Sequence, residues 1–161
     1  LNDCKYGHSA LDGVMTLTLI KSGIEPNPTA DQEEHTFTYA LYPHAEGWRQ
    51  AKTVQEAMKL NQPALSAEGG CAGDETSFVW IDKQNVIIET VKEAEDGDGV
   101  IIRLYESENA RTKAHISFEK PVASVESCDC VEKTKETVCV AGDGFDITIK
   151  PYEIQTYRVR F

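Results

Sequence analysis

Four histidines, five cysteines and 27 acidic residues are the groups in this 161-residue sequence that could do chemistry. A metal site needs such ligands at short, regular spacing, and glycoside hydrolysis needs two carboxyls about 5–10 Å apart across a cleft. The histidines His8, His35, His44 and His115 are scattered, with no pair four residues apart that a helix would bring to one face. His35 and His44 bracket a run that reads as one strand, which would hold them roughly 30 Å apart, too far to share an ion. Cys128-Asp129-Cys130 leaves one residue between thiols, which is not zinc-knuckle spacing. With Cys4, Cys71 and Cys139 the count is odd, so reduced thiols are expected rather than a disulfide framework. Asp96-Gly97-Asp98-Gly99 is acidic but lacks the distal Glu and ligand ladder of a calcium loop, and reads as a turn. The sequence holds no glycine-rich phosphate loop and no nucleophile elbow. Arg103 interrupts the apolar run 100–105 and is expected to form a structural ion pair. Apart from Asp3, in the opening segment, no carboxylate stands out as buried.

The elements that must position these groups are mostly strands. The run 35–44 alternates Phe37, Tyr39 and Leu41 against Thr36, Thr38, Ala40 and Tyr42, which predicts a central strand ending at Pro43. Asp12-Gly13 predicts a turn before a strand over 14–20. Pro26 and Pro28 make 23–28 an ordered loop. Val54, Ala57, Met58 and Asn61 follow a 3.6-residue period, predicting one short helix near 50–60 that Pro63 ends. Residues 62–76 read as a surface excursion. Beyond them come a strand over 77–81 with Phe78 and Trp80 on one face, and a hairpin pairing 85–92 with 100–106. Further strands follow over 114–118, 122–131, 137–140, 145–149 and 152–161. About nine short strands with one helix predict a mainly all-β fold, an antiparallel β-sandwich.

Composition narrows the partners. At 40% hydrophobic and 27% charged residues the chain is globular rather than disordered. No apolar run nears the roughly 20 residues of a membrane helix. The net charge of −11 opposes binding to phosphate backbones, so nucleic acid is not an expected partner. The opening Leu1-Asn2-Asp3-Cys4 carries neither an initiator Met nor a leader pattern, and the expectation is one β-sandwich domain over 1–161, excised from a longer multidomain enzyme.

Several blocks in order resemble the C-terminal region of bacterial-type glycoside hydrolase family 38 α-mannosidases. They are 2–7 (Asn-Asp-Cys-Lys-Tyr-Gly), 17–22 followed by Pro26, Pro28, Ala30 and Asp31, 35–44 with Trp48, 60–63, 93–106 and 150–156. The resemblance implies a galactose-mutarotase-like, supersandwich type of fold and a cytoplasmic parent enzyme that hydrolyses α-mannosides with retention. It also implies a zinc ion and a carboxylate nucleophile in a catalytic barrel outside this chain. No catalytic residue, metal ligand or cofactor is therefore expected here, and the chain alone is expected to be inactive. The implied partners are the parent's own barrel, mannose-containing glycans and, for the parent, further copies of itself. Asp3, Lys5 and Tyr6 are the candidates for the rim of the parent's active site or for a domain interface. The alternative from another class is a free-standing carbohydrate-binding module, for which Trp48, Trp80, Tyr42 and Tyr105 would supply the aromatic platform. Their place in alternating apolar runs makes core packing the simpler expectation. A scaffold or adhesion domain unrelated to sugars is a third reading, and it would leave no apolar patch uncovered.

Overall fold

The computed structural model describes residues 7–66, 68–69 and 76–161. The chain divides into two compact units, one running to Gly69 and one from residue 70 onward.

In the first unit, β1 (His8–Leu11) and β2 (Val14–Leu17) form an antiparallel hairpin. Asp12 and Gly13 both take positive φ at its turn, the geometry a two-residue hairpin loop requires. The single helix described, α1 (Thr53–Asn61), begins after Lys52 in a left-handed conformation. Glu56 in its first turn and Lys59 in its last suit the helix dipole and pair at 2.7 Å. The strand expected over 35–44 does not form: this stretch joins no sheet. Aromatic and β-branched residues favour strands only where a pleated, half-buried surface receives them. Here Tyr39 and Leu41, on the expected buried face, are 66% and 75% exposed. The stretch is held locally instead: His35 stacks on Phe37, and the Tyr42 hydroxyl donates to the Ala51 carbonyl at 3.0 Å. No described residue of this unit is buried.

The second unit contains two antiparallel sheets. One orders β3 (Val79–Ile81), β6 (Thr112–Phe118), β10 (Gly144–Ile149) and β9 (Val140–Ala141) as β3-β6-β10-β9. The other orders β4 (Val86–Glu93), β5 (Val100–Glu106), β11 (Ile154–Arg160), β7 (Ser124–Cys128) and β8 (Thr134–Val138) as β4-β5-β11-β7-β8. Period-two alternation sends Ala114, Ile116, Phe118, Phe145, Ile147 and Ile149 inward from the smaller sheet. Val86, Ile102, Leu104, Val125, Tyr157 and Val159 meet them from the larger one in a single core. The Phe145 and Tyr157 rings meet across it at 5.0 Å. Burying one large apolar side chain in such a core stabilises by about 1.5–3 kcal/mol, so the alternation decides the fold.

The hairpin expected around the acidic turn is present as β4–β5, with a bulge between Ile88 and Thr90. Phe78 and Trp80 do not share a role. Phe78 precedes the strand and packs edge-on against Phe118 and Phe161, whereas Trp80 stands on the outer face.

Candidate functional site

The most elaborate polar arrangement of the described residues lies on the outer face of the five-stranded sheet. The β4–β5 turn and the β7–β8 turn fold over that face, beside a solvent-open depression of about 530 Å³ lined by residues that include Asp96, Asp98, Glu132, Arg158 and Arg160. Alternation along β11 puts Tyr157 and Val159 in the core, and Arg158 and Arg160 on the opposite face, aimed at the acidic turn. Arg158 is only 6% exposed. Its Nη1 donates to both carboxylate oxygens of Asp96, at 2.7 and 2.8 Å, and to the Asp98 carbonyl at 2.9 Å. Arg160 grips Asp98 with two parallel bonds of 2.9 Å and reaches Glu126 at 2.9 Å. Lys92 bridges Glu95 and Glu132, each at 2.6 Å. A buried guanidinium is tolerable only when paired in this manner.

These contacts settle the protonation of the acids. The Arg158 guanidinium holds the Asp96 carboxyl down to about 2. Arg160 does the same in direction for Asp98, and the Glu95 backbone N–H together with Lys92 does so for Glu132. Asp82 is lowered by Lys83 and by the His115 backbone N–H. A general acid for glycoside cleavage needs a carboxyl raised towards neutrality. This cluster provides anions locked to cations. Its chemistry is that of a clasp.

A second node was not apparent in the sequence. Glu106 is 1% exposed, although no carboxylate outside the opening segment was expected to be buried. Burial alone would raise its pKa. Its carboxylate, however, accepts from Tyr152 N (3.1 Å), Asn85 Nδ2 (2.8 Å) and Glu108 N (2.8 Å), and these donors hold it below the usual value. The signal was parity: Val100, Ile102 and Leu104 face inward, and Glu106 continues their register.

Arg103, expected in an ion pair, instead donates to two neutral acceptors, Thr156 Oγ1 at 3.3 Å and the Cys130 carbonyl at 3.1 Å. Cys128, Cys130 and Cys139 are free thiols. Asp129 caps the β7–β8 turn by accepting from Val131 N and Lys133 N. Asp3, Lys5 and Tyr6 lie outside the described residues, as do Cys4 and Cys71. Among the described residues no three His, Cys, Asp or Glu side chains converge as a metal site requires, so they do not fit a zinc ion. No described helix is long and apolar enough to cross a membrane. Of the aromatic candidates, Trp80 is 46% exposed, and Trp48 and Tyr42 also reach solvent rather than a core. Arg49 lies over the Trp48 ring at 4.8 Å, and Tyr105 is half-buried.

Two antiparallel sheets closed on a common core define a β-sandwich domain. Residues 85–157 match the family described as glycosyl hydrolases family 38 C-terminal beta sandwich domain. That stretch, most of the second unit, is similar to the C-terminal β-sandwich domain of glycosyl hydrolase family 38. Similar proteins include alpha-mannosidase G of Dictyostelium discoideum, 32% identical over 98% of this chain and 15% of the relative's length. Alpha-mannosidase 2C1 of Homo sapiens is 30% identical over 96% of this chain and 16% of its own length. An alpha-mannosidase of Saccharomyces cerevisiae is 28% identical over 100% of this chain and 17% of its own length. The chain thus spans about one sixth of the curated relatives it matches.

Proposed function

We propose that this chain is the C-terminal β-domain of a cytoplasmic α-mannosidase of the bacterial type, and that it supports a zinc-dependent catalytic barrel carried elsewhere in the enzyme. The observation that carries this reading is the likeness to α-mannosidases along essentially the whole chain, both units included. Two features support it. The clasp acids Asp96, Asp98, Glu126 and Glu132 are paired rather than poised for proton transfer, which suits a supporting role. The first unit exposes Leu11, Val14, Met15, Ile24, Tyr39 and Leu41, more apolar surface than a self-sufficient module would leave in water. Free thiols at Cys128, Cys130 and Cys139 accord with a reducing compartment. The zinc would be held by groups outside the described residues, and no step of hydrolysis is assigned to this chain.

The test compares the purified chain with the full polypeptide its gene encodes, using an aryl α-mannoside with zinc supplied. The full polypeptide should turn over with retention and the chain alone should not. Turnover by the chain alone, or full activity after its deletion, would overturn the proposal. In the active polypeptide, alanine at Asp3, Lys5 or Tyr6 should raise KM if that segment reaches the rim of the site. A fall in stability alone would place it at a domain interface. Sedimentation of the same polypeptide would test self-association.

A further inference from the structure

The outer face of the four-stranded sheet presents an arrangement that the clasp and the supporting role leave unused. Its register aligns three residues side by side across three strands: Trp80 on β3 stands opposite Ser117 on β6, and Ser117 stands opposite Gly144 on β10. One large ring is thus followed by two of the smallest side chains. Strands lie about 4.8 Å apart, so the floor beside Trp80 is formed by Ser117, one strand away, and by Gly144, two strands away, where it is buried. The neighbouring row is polar. His115 stands opposite Asp146, and its Nδ1 lies 2.7 Å from Asp146 Oδ1. A carboxylate can only accept, so Nδ1 carries the hydrogen and Nε2 is the ring nitrogen left for a second partner. Asp82 accepts the His115 backbone N–H at 2.7 Å and also pairs with Lys83 at 2.7 Å, fixing the row from the other side.

Gly144 ties the two rows together. A Cβ there would meet His115 Nε2 at 2.8 Å and the Ile116 carbonyl oxygen at 2.1 Å. Only glycine lets the imidazole lie down over the floor, which brings Nε2 from the polar row into the row of Trp80. Burial does not require Trp80 to be tryptophan, because Val79 and Ile81 are the strand's contributions to the core.

We propose that this face is a binding surface for a neutral hexopyranose within a glycan. The ring's C–H face would stack on Trp80, and its hydroxyls would be taken by His115 Nε2, Ser117 Oγ and the Asp146 carboxylate. A protein partner is the weaker fit, since interface cores are depleted in charge and this ring is bordered by two carboxylates and an imidazole. Those carboxylates and the net charge of −11 oppose anionic sugars. A pyranose offers an apolar face and a rim of donors and acceptors together, which is what the two rows require. The inference is independent of the catalytic reading, because a holding surface binds sugar whether or not the enzyme turns it over.

The experiment is a titration of the isotope-labelled full chain with methyl α-mannoside and an α-linked mannotriose, read by amide and indole NMR shifts, with sialic acid as the anionic control. Shifts should cluster at Trp80, Ser117 and Gly144 with the neutral sugars only. Trp80→Ala should weaken binding at least about tenfold, Asp146→Asn should weaken it severalfold, and Trp48→Phe should leave it unchanged. Because Trp80 and Asp146 are exposed, the melting temperatures of both variants should match the parent, which separates lost binding from lost folding. No shifts with any sugar, shifts mapped elsewhere, or binding unchanged in both Trp80→Ala and Asp146→Asn would each overturn the proposal. Turnover of the aryl mannoside by the full polypeptide is a separate readout and cannot rescue it.

Discussion

The second unit packs Phe118 and Phe145 between two sheets, while the first leaves Tyr39, Leu41 and Met15 in solvent. Both contain alternating apolar sequence. The difference is that each strand of the second unit has a neighbour whose inward residues match its own, and the run 35–44 has none. Alternation specifies a strand only together with a partner. Where the partner is missing, local contacts such as His35 on Phe37 decide the backbone instead.

The contrast can be broken most forcefully in the core. Phe118→Ala should destabilise the second unit by about 3–5 kcal/mol, measured by urea unfolding. Trp80 and Trp48 are the chain's two tryptophans, one in each unit, so single-tryptophan variants report the units separately. If Phe118→Ala lowers both reports equally, the units unfold together and the contrast fails. Next in size, Glu106→Ala should cost about 3 kcal/mol, because it strands buried donors at Tyr152, Glu108 and Asn85. A loss below about 1 kcal/mol would show that water satisfies those groups.

Acid offers a graded version. Asp96, Asp98 and Glu132 have folded-state pKa values below their unfolded ones, so the stability they contribute is present above the ordinary carboxyl range and lost as pH falls. For Asp96 the loss should extend down to about 2. The melting temperature of the second unit should therefore fall steadily below about pH 4, and Asp96→Asn should flatten that fall. An unaltered pH profile in the variant would refute the clasp. Smallest of all, Tyr39→Ser and Met15→Ser should change stability by less than about 0.5 kcal/mol in the isolated chain. The same substitutions should matter in the full polypeptide if the proposed partner surface covers them.

Much of the sandwich was legible because its strands alternate cleanly and its turns carry Asp-Gly pairs; the β4–β5 hairpin is the clearest case. The helix was legible from four periodic residues. What escaped were facts about pairing. The acidic turn at 96–99 was recognised as turn chemistry, but its arginine partners lie some 60 residues away, and no local pattern announces them. Glu106 could have been found by carrying the inward register one step further. Trp80 and Phe78 share parity, yet only Phe78 packs on neighbouring rings, since regular alternation begins at Val79. The expectations for Asp3, Lys5 and Tyr6 came from family resemblance rather than spacing, and that segment lies outside the described residues.

The order β4-β5-β11-β7-β8 also has a kinetic meaning. Two hairpins, β4–β5 and β7–β8, close over short loops and can form early. Their union waits for β11, which must slot between them and zip against β5 across a separation of about 50 residues. Until that strand arrives, each hairpin presents a bare edge, and the larger sheet exists only as two halves. The sandwich should therefore fold at the pace of its last-made pairing, with Val159 and Tyr157 recording the rate-limiting insertion.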